Sequence, residues 1–184
     1  MTARRDIVAA AVGKRLFGRA ARASVTVPGD LAERVDVLLR QRCCDLVGLA
    51  RRAGKAVAGF EKVRAALRKG EAAVLVAAAD GGESGRDKVR GLGFDLPLVD
   101  GLSAAELGVA FGRDHVVHAV LAPGRIARDL VAAATRLDGY RRPAEELGTG
   151  QGRQNHRPRK LRHVTRYGRR GRRDSKSRIG VDLR

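Results

Sequence analysis

Arg51, Arg52, Lys55, Lys62, Arg64, Arg68 and Lys69 fall within one stretch, LVGLARRAGKAVAGFEKVRAALRKG, from Leu46 to Gly70. Cations at this density hold anions. The stretch reads as the end of one helix, a short loop and strand, and a complete second helix opening at Gly59. A helix N-terminus offers unpaired backbone N–H groups and a partial positive charge. Fixed cations beside it make a seat for an anionic backbone, and nucleic acid is the most abundant polymer of that kind. Arg51, Arg52 and Lys55 crowd around Gly54, while Lys62, Arg68 and Lys69 follow roughly one face of the second helix. Val63, Ala66 and Leu67 form the face to be buried. The solvated side of an amphipathic helix would explain Arg68 and Lys69, but not the cations around Gly54. Readers of single strands stack bases on aromatics. Only Phe60 is offered here, so a folded RNA shape is the better fit.

Other residue types assemble no chemistry. Asp80 to Lys88, DGGESGRDK, is glycine-rich but lacks the Gly-Lys-Ser/Thr ending that a P-loop needs for phosphate and magnesium. Gly148 to Gly152, GTGQG, has no strand before it and no helix after it, so it makes no dinucleotide site. His115 and His118 read as one strand with opposite faces and cannot chelate one ion; His156 and His163 lie in the tail. Cys43 and Cys44 are adjacent and are the only cysteines, too few for a structural zinc site and badly placed for a mutual disulfide. Glu145 and Glu146 are neighbours in a linker. The expectation is therefore no enzyme, no cofactor, no metal and no small-molecule substrate.

The whole chain agrees with this. Its 184 residues carry a net charge of +18, well beyond what solubility asks for. Residues 141–184 hold 15 Arg or Lys against 4 acids and almost no apolar side chains, the signature of a disordered Arg-rich tail. Such arms order on RNA; a solubilising tail is the plainer reading. The absence of a cysteine framework, membrane span or apolar leader points to the cytoplasm, with no membrane partner.

The elements that must position these residues follow in order. Residues 1–29 are basic and weakly helical, with Val25 and Val27 alternating as in a short strand, and are too short for a core of their own. Asp30 with Glu33 reads as a capping box opening a helix. Its apolar stripe is Leu31, Val35, Leu38, Leu39, Leu46 and Leu49, and its stop is Gly54. A brief strand spans 56–58, and the second helix runs from about Phe60 to Lys69. Core strands are expected in 72–80, 96–99 and 115–121, with a loop and short helix between the first two. Ser103 with Glu106 is a second capping box, and a last helix runs from about Gly124 to Leu137. Alternating helices and strands predict an α/β fold, a three-layer α/β/α sandwich with a mixed sheet.

These residues also carry a resemblance. The run from Leu46 to Asp80 resembles the ribosomal-protein family that binds RNA kink-turns, the archaeal L-seven-Ae and L-thirty-e group, and is most similar to its bacterial YlxQ branch. LPLVDGLSAAELGVAFG and HVVHAVLA resemble the family's later strands and its Ser-x-x-Glu-Leu-Gly helix start. The likeness covers roughly Leu31 to Leu137. It implies an L-thirty-e-like sandwich and a non-enzymatic role on RNA in connection with ribosomes or translation. The family grips RNA with the start of its second helix and the loop before its last strand. By position these are Gly59, Glu61, Lys62 and Ala65, and Arg113, Asp114 and His115. Kink-turn readers carry Asn, Glu and Lys where Glu61, Lys62 and Ala65 stand; only Gly59 agrees. Structured RNA of another shape, ribosomal for instance, is therefore the safer expectation. Residues 1–29 resemble the last part of a YlxR-type domain.

The expected organisation is a basic YlxR-type remnant at 1–29, an RNA-binding domain at 30–140 and the tail at 141–184. The expected RNA-binding residues are Arg51, Arg52, Gly54, Lys55, Gly59, Phe60, Glu61, Lys62, Arg113 and His115. The alternative is an accessory module that presents RNA substrate to a modifying enzyme on another chain.

Overall fold

The computed structural model describes residues 3–82, 87, 90, 91 and 93–142. Of the expected tail, 141–184, residues 141 and 142 are described, and Arg141 belongs to the last helix; residues 143–184, with GTGQG, His156, His163, Glu145 and Glu146, and most of the expected 81–92 loop and helix lie outside the described residues. In order come α1 (Arg5–Gly13), α2 (Leu16–Ala21), α3 (Leu31–Arg52), β1 (Ala56–Ala58), α4 (Phe60–Arg68), β2 (Val74–Ala77), β3 (Leu98–Val99), α5 (Ala104–Phe111), β4 (His118–Leu121) and α6 (Arg125–Arg141).

The sheet has the order β1-β4-β2-β3. β2 and β3 are parallel, whereas β4 runs antiparallel to both β1 and β2, so the sheet is mixed. The central strands β2 and β4 are buried on both faces, and alternation sorts their side chains between two layers. Val74, Val76, Ala119 and Leu121 join one cluster with Leu46, Val47, Leu107, Leu130 and Leu137 of α3, α5 and α6. Leu75 and Val120 join the other with Val63, against which Phe60, Ala66 and Leu67 of α4 pack. The result is the expected α/β/α sandwich. Each such buried Val or Leu contributes about 1.5–3 kcal/mol through removal from water.

Several local expectations give way. Asp30 makes no side-chain cap to α3; its carboxylate accepts instead from Arg34 Nε at 2.8 Å. Glu33 accepts from Arg5 at 2.9 Å, so neither half of that box forms. At α5 both halves form: Ser103 Oγ accepts from Glu106 N, and Glu106 Oε2 accepts from Ser103 N at 2.8 Å. The buried stripe of α3 is Ala32, Asp36, Cys43, Leu46, Val47 and Ala50, while Leu38 is 67% exposed and Leu49 also faces solvent. Leu38 and Leu49 fall outside the 3.6-residue period that runs through the true stripe. Val25 and Val27 form no strand. α6 extends to Arg141 because its last turn is tied across the fold. Tyr140 Oη donates to Ala32 O at 2.8 Å, and Arg141 donates to Asp36 at 2.6 and 2.9 Å. Arg40 joins this group, donating to Asp36 at 3.0 Å and to Glu106 at 2.6 Å. The two guanidinium groups hold the Asp36 carboxyl below its ordinary value, with the Arg141 hydrogen bonds the largest cause.

β4 starts only at His118, so His115 and His118 do not share a strand as expected. Residues 112–117 form a loop that folds back along α5. Val116 N donates to Ala104 O at 2.9 Å. A Cβ on Gly108 would lie 2.6 Å from Asp114 O and 2.7 Å from Arg113 O, so the loop backbone needs glycine there.

Candidate functional site

The start of α4 and the 112–117 loop face each other. Gly59, the N-cap of α4, has φ +99°, a conformation suited to glycine. Its N–H donates to His118 O at 3.0 Å and its carbonyl accepts from Val63 N at 2.9 Å, which joins the helix start to β4. No side chain caps α4, so the N–H groups of Phe60, Glu61 and Lys62 lack partners among the described residues. The Arg113 guanidinium reaches across, with Nη1 4.0 Å from where a Gly59 Cβ would stand.

Between them lies an open groove of about 400 Å³, lined by Gly59, Phe60, Gly82, Arg113, His115 and Val116–His118. Phe60 and His118 meet edge to face at 6.3 Å between centroids. Arg64 lies 5.9 Å over the Phe60 ring while pairing with Glu61 at 2.8 Å. Glu61 is thus committed to its own helix. Arg113, Lys62 and Arg51 form no ion pair among the described residues. Arg51 extends the basic rim past the loop: its Nη1 lies 3.0 Å from where a Gly112 Cβ would stand.

The expected set is therefore divided. Gly59, Phe60, Arg113 and His115 come together in the groove; Glu61 and Lys62 follow on the first turn of α4, and Arg51 reaches the rim. Arg52, Gly54 and Lys55 are not brought to it. Lys55 O accepts from Ala122 N at the far end of the β1–β4 ladder, roughly 13 Å from Gly59 at about 3.3 Å per residue. The Arg52 guanidinium folds back towards Gly48.

Gly82, Val116, Val117 and His118 were not anticipated as lining. Ala77 pairs with His118, which brings the turn after β2 beside the residue that enters β4. A Cβ on Gly81 would lie 2.7 Å from Val117 Cγ1, so the first glycine of DGGESGRDK permits this approach. A glycine pair at 81–82, in the turn shortly after a core strand, was the available signal. Burial raises the Cys43 and Cys44 thiols to about 11, which keeps both protonated at neutral pH. No helix among the described residues is long and apolar enough to cross a membrane.

No family model matches the chain. It is 31% identical over 87 residues to RNA-binding protein YlxQ of Enterococcus faecium, a match covering 46% of this chain and 84% of that protein. Among solved structures it is similar to a protein of unknown function from Bacillus halodurans, at 24% identity and a TM-score of 0.48, covering 51% of this chain and 97% of that one. It is also similar to the Giardia lamblia 15.5kD RNA binding protein, at 17% identity and a TM-score of 0.44, covering 55% and 89%.

Proposed function

This chain belongs to the YlxQ family, and from that premise we propose that it is a non-catalytic protein that seats structured RNA in the groove described above. The RNA is ribosomal or kink-turn-like, and the role belongs to translation in the cytoplasm. The observation that carries the reading is the juxtaposition of Gly59 and Phe60 with Arg113 and His115, rimmed by Arg113, Lys62 and Arg51, which form no ion pair among the described residues.

The chemistry follows from that arrangement. A phosphate at the start of α4 would accept from the first-turn N–H groups, where the helix dipole favours negative charge. Arg113 would approach it from the loop, and its fork can make two parallel hydrogen bonds to one phosphate. Lys62 adds a point charge on the α4 side. Gly59 brings the strand close to backbone, and Phe60 offers an apolar edge to a base or ribose. Arg51, Arg52 and Lys55 would meet flanking phosphates outside the groove. Nothing in this scheme breaks a covalent bond.

The test combines Lys62→Glu with Arg113→Glu in the full chain. Fluorescence anisotropy is read with a fluorescein-labelled kink-turn hairpin and an unkinked hairpin of equal length, over a potassium chloride series. The expected result is a loss of affinity of about tenfold or more and a salt slope shallower by about one unit per phosphate contact removed. Unchanged affinity for both RNAs would overturn the site. A wild-type preference for the kinked hairpin identifies the RNA shape; equal binding points to structured RNA more generally.

A further inference from the structure

We propose that the α1–α2 segment is a second RNA-contacting surface, presenting Arg15, Arg19 and Arg22 to phosphates of the RNA held by the groove. The inference rests on the RNA-binding reading above but on different residues. From Ile7 to Gly29 the chain carries Lys14, Arg15, Arg19 and Arg22 and no acid. All four are exposed, and none forms an ion pair among the described residues. Just ahead of them Arg4 and Arg5 are neutralised, by Asp6 at 3.2 Å and Glu33 at 2.9 Å. Arg19 stands on α2, and Arg15 and Arg22 flank its two ends, so the three lie within one short segment of eight residues.

The backbone supplies an independent observation. Arg15 and Arg22, the caps at either end of α2, both have φ +50°. A residue with a Cβ is disfavoured in this left-handed region, and glycine is not. Every other positive-φ position among the described residues is glycine: Gly54, Gly59, Gly70, Gly112 and Gly124. At the two exceptions the side chain is arginine in both cases, with no side-chain hydrogen bond or ion pair to hold it there. Both residues adopt this disfavoured conformation while exposed to solvent. Three forked cations with no acid among them fit closely spaced phosphates. α1 is anchored by Arg5 to Glu33, roughly 27 Å along α3 from Arg51 at 1.5 Å per residue.

The test uses the full chain with Arg15→Gly/Arg22→Gly and, separately, Arg15→Lys/Arg22→Lys. The readouts are anisotropy on the same fluorescein-labelled hairpins over a potassium chloride series, and thermal unfolding by circular dichroism. The glycine variant is expected to bind about fivefold more weakly, with a salt slope shallower by about 1.5, while its melting temperature holds or rises by a few degrees. The lysine variant should keep the wild-type slope. Unchanged affinity and slope in the glycine variant would overturn the inference. So would a lower melting temperature, which would make the arginines part of the fold. The Lys62→Glu/Arg113→Glu variant, run alongside, separates the two readings. If it alone loses affinity, the second surface is wrong and the groove stands. If the glycine variant alone loses affinity, the groove is wrong and the second surface stands. If neither responds, both are wrong.

Discussion

The two ends of α3 use the same side chain in opposite ways. In its N-terminal half each arginine meets a carboxylate: Arg34 meets Asp30, and Arg40 bridges Asp36 and Glu106. Arg141 of α6 closes on Asp36 from the other side. At the C-terminal end Arg51 and Arg52 meet none among the described residues, nor does Arg113 on the adjoining loop. One end is tied to α5 and α6; the other makes no ion pair among the described residues. Net charge alone does not separate these roles. Whether a carboxylate comes within reach does: Asp30 and Asp36 stand one turn from Arg34 and Arg40, and α5 adds Glu106.

The sharpest way to break the contrast is Asp36→Ala. Two guanidinium groups would lose a carboxylate that is itself only 8% exposed. The expected cost is about 2 kcal/mol, below the usual figure for a buried pair because both arginines are partly solvated. Urea unfolding checks the cost, and RNA affinity of the folded protein should not change. The same group sets a pH dependence. The folded-state pKa of Asp36 lies below its ordinary value of 3.8, so its contribution is full above that value and is lost as pH falls through the folded pKa. The advantage of wild type over Asp36→Asn should therefore be constant above about pH 5 and shrink below about pH 4.

Gly108→Ala should come next, at about 1–3 kcal/mol, because the new methyl group meets loop backbone. It blurs the contrast, since displacing Arg113 and His115 should weaken RNA binding as well; anisotropy and urea unfolding read the two effects separately. Ser103→Ala should cost about 1 kcal/mol, the loss of a formed cap. Asp30→Ala should cost less than about 0.5 kcal/mol, since Asp30 caps nothing and its ion pair with Arg34 is exposed. Thermal melts of the two variants side by side decide this. The smallest effect on stability belongs to Arg51→Gln, within about 0.5 kcal/mol, where only a favourable interaction with the helix dipole is lost. Its effect should appear instead in the salt slope of RNA binding, shallower by about one unit.

What could be read from residue order was local. β2 was legible because an unbroken apolar run has few other uses, and the Ser103–Glu106 box because Glu106 reaches back only three residues. The Asp30–Glu33 box failed because Arg34 and Arg5 competed for the two carboxylates, and Arg5 arrives only once α1 has docked. β4 was drawn too long because Val116 and Val117 are apolar like strand residues, yet the loop that holds them packs against Gly108 and Ala104. The end of α6 was missed for the same kind of reason, since its anchors at Ala32 and Asp36 are more than a hundred positions away. Within the groove, Gly59 and Phe60 stood out through helix-start chemistry. Arg113 and His115 were reached only through the family resemblance, because β1–β4 pairing, not spacing, sets them opposite Gly59.

The sheet ends in strands of three and two residues, β1 and β3. β1 is further bounded by charged Lys55 on one side and the positive-φ Gly59 on the other. A neighbouring molecule seeking to add its own strand would find about 10 Å of ladder on β1 before the backbone turns away. Copies of this protein therefore find little template on these short edges for edge-to-edge growth of the sheet.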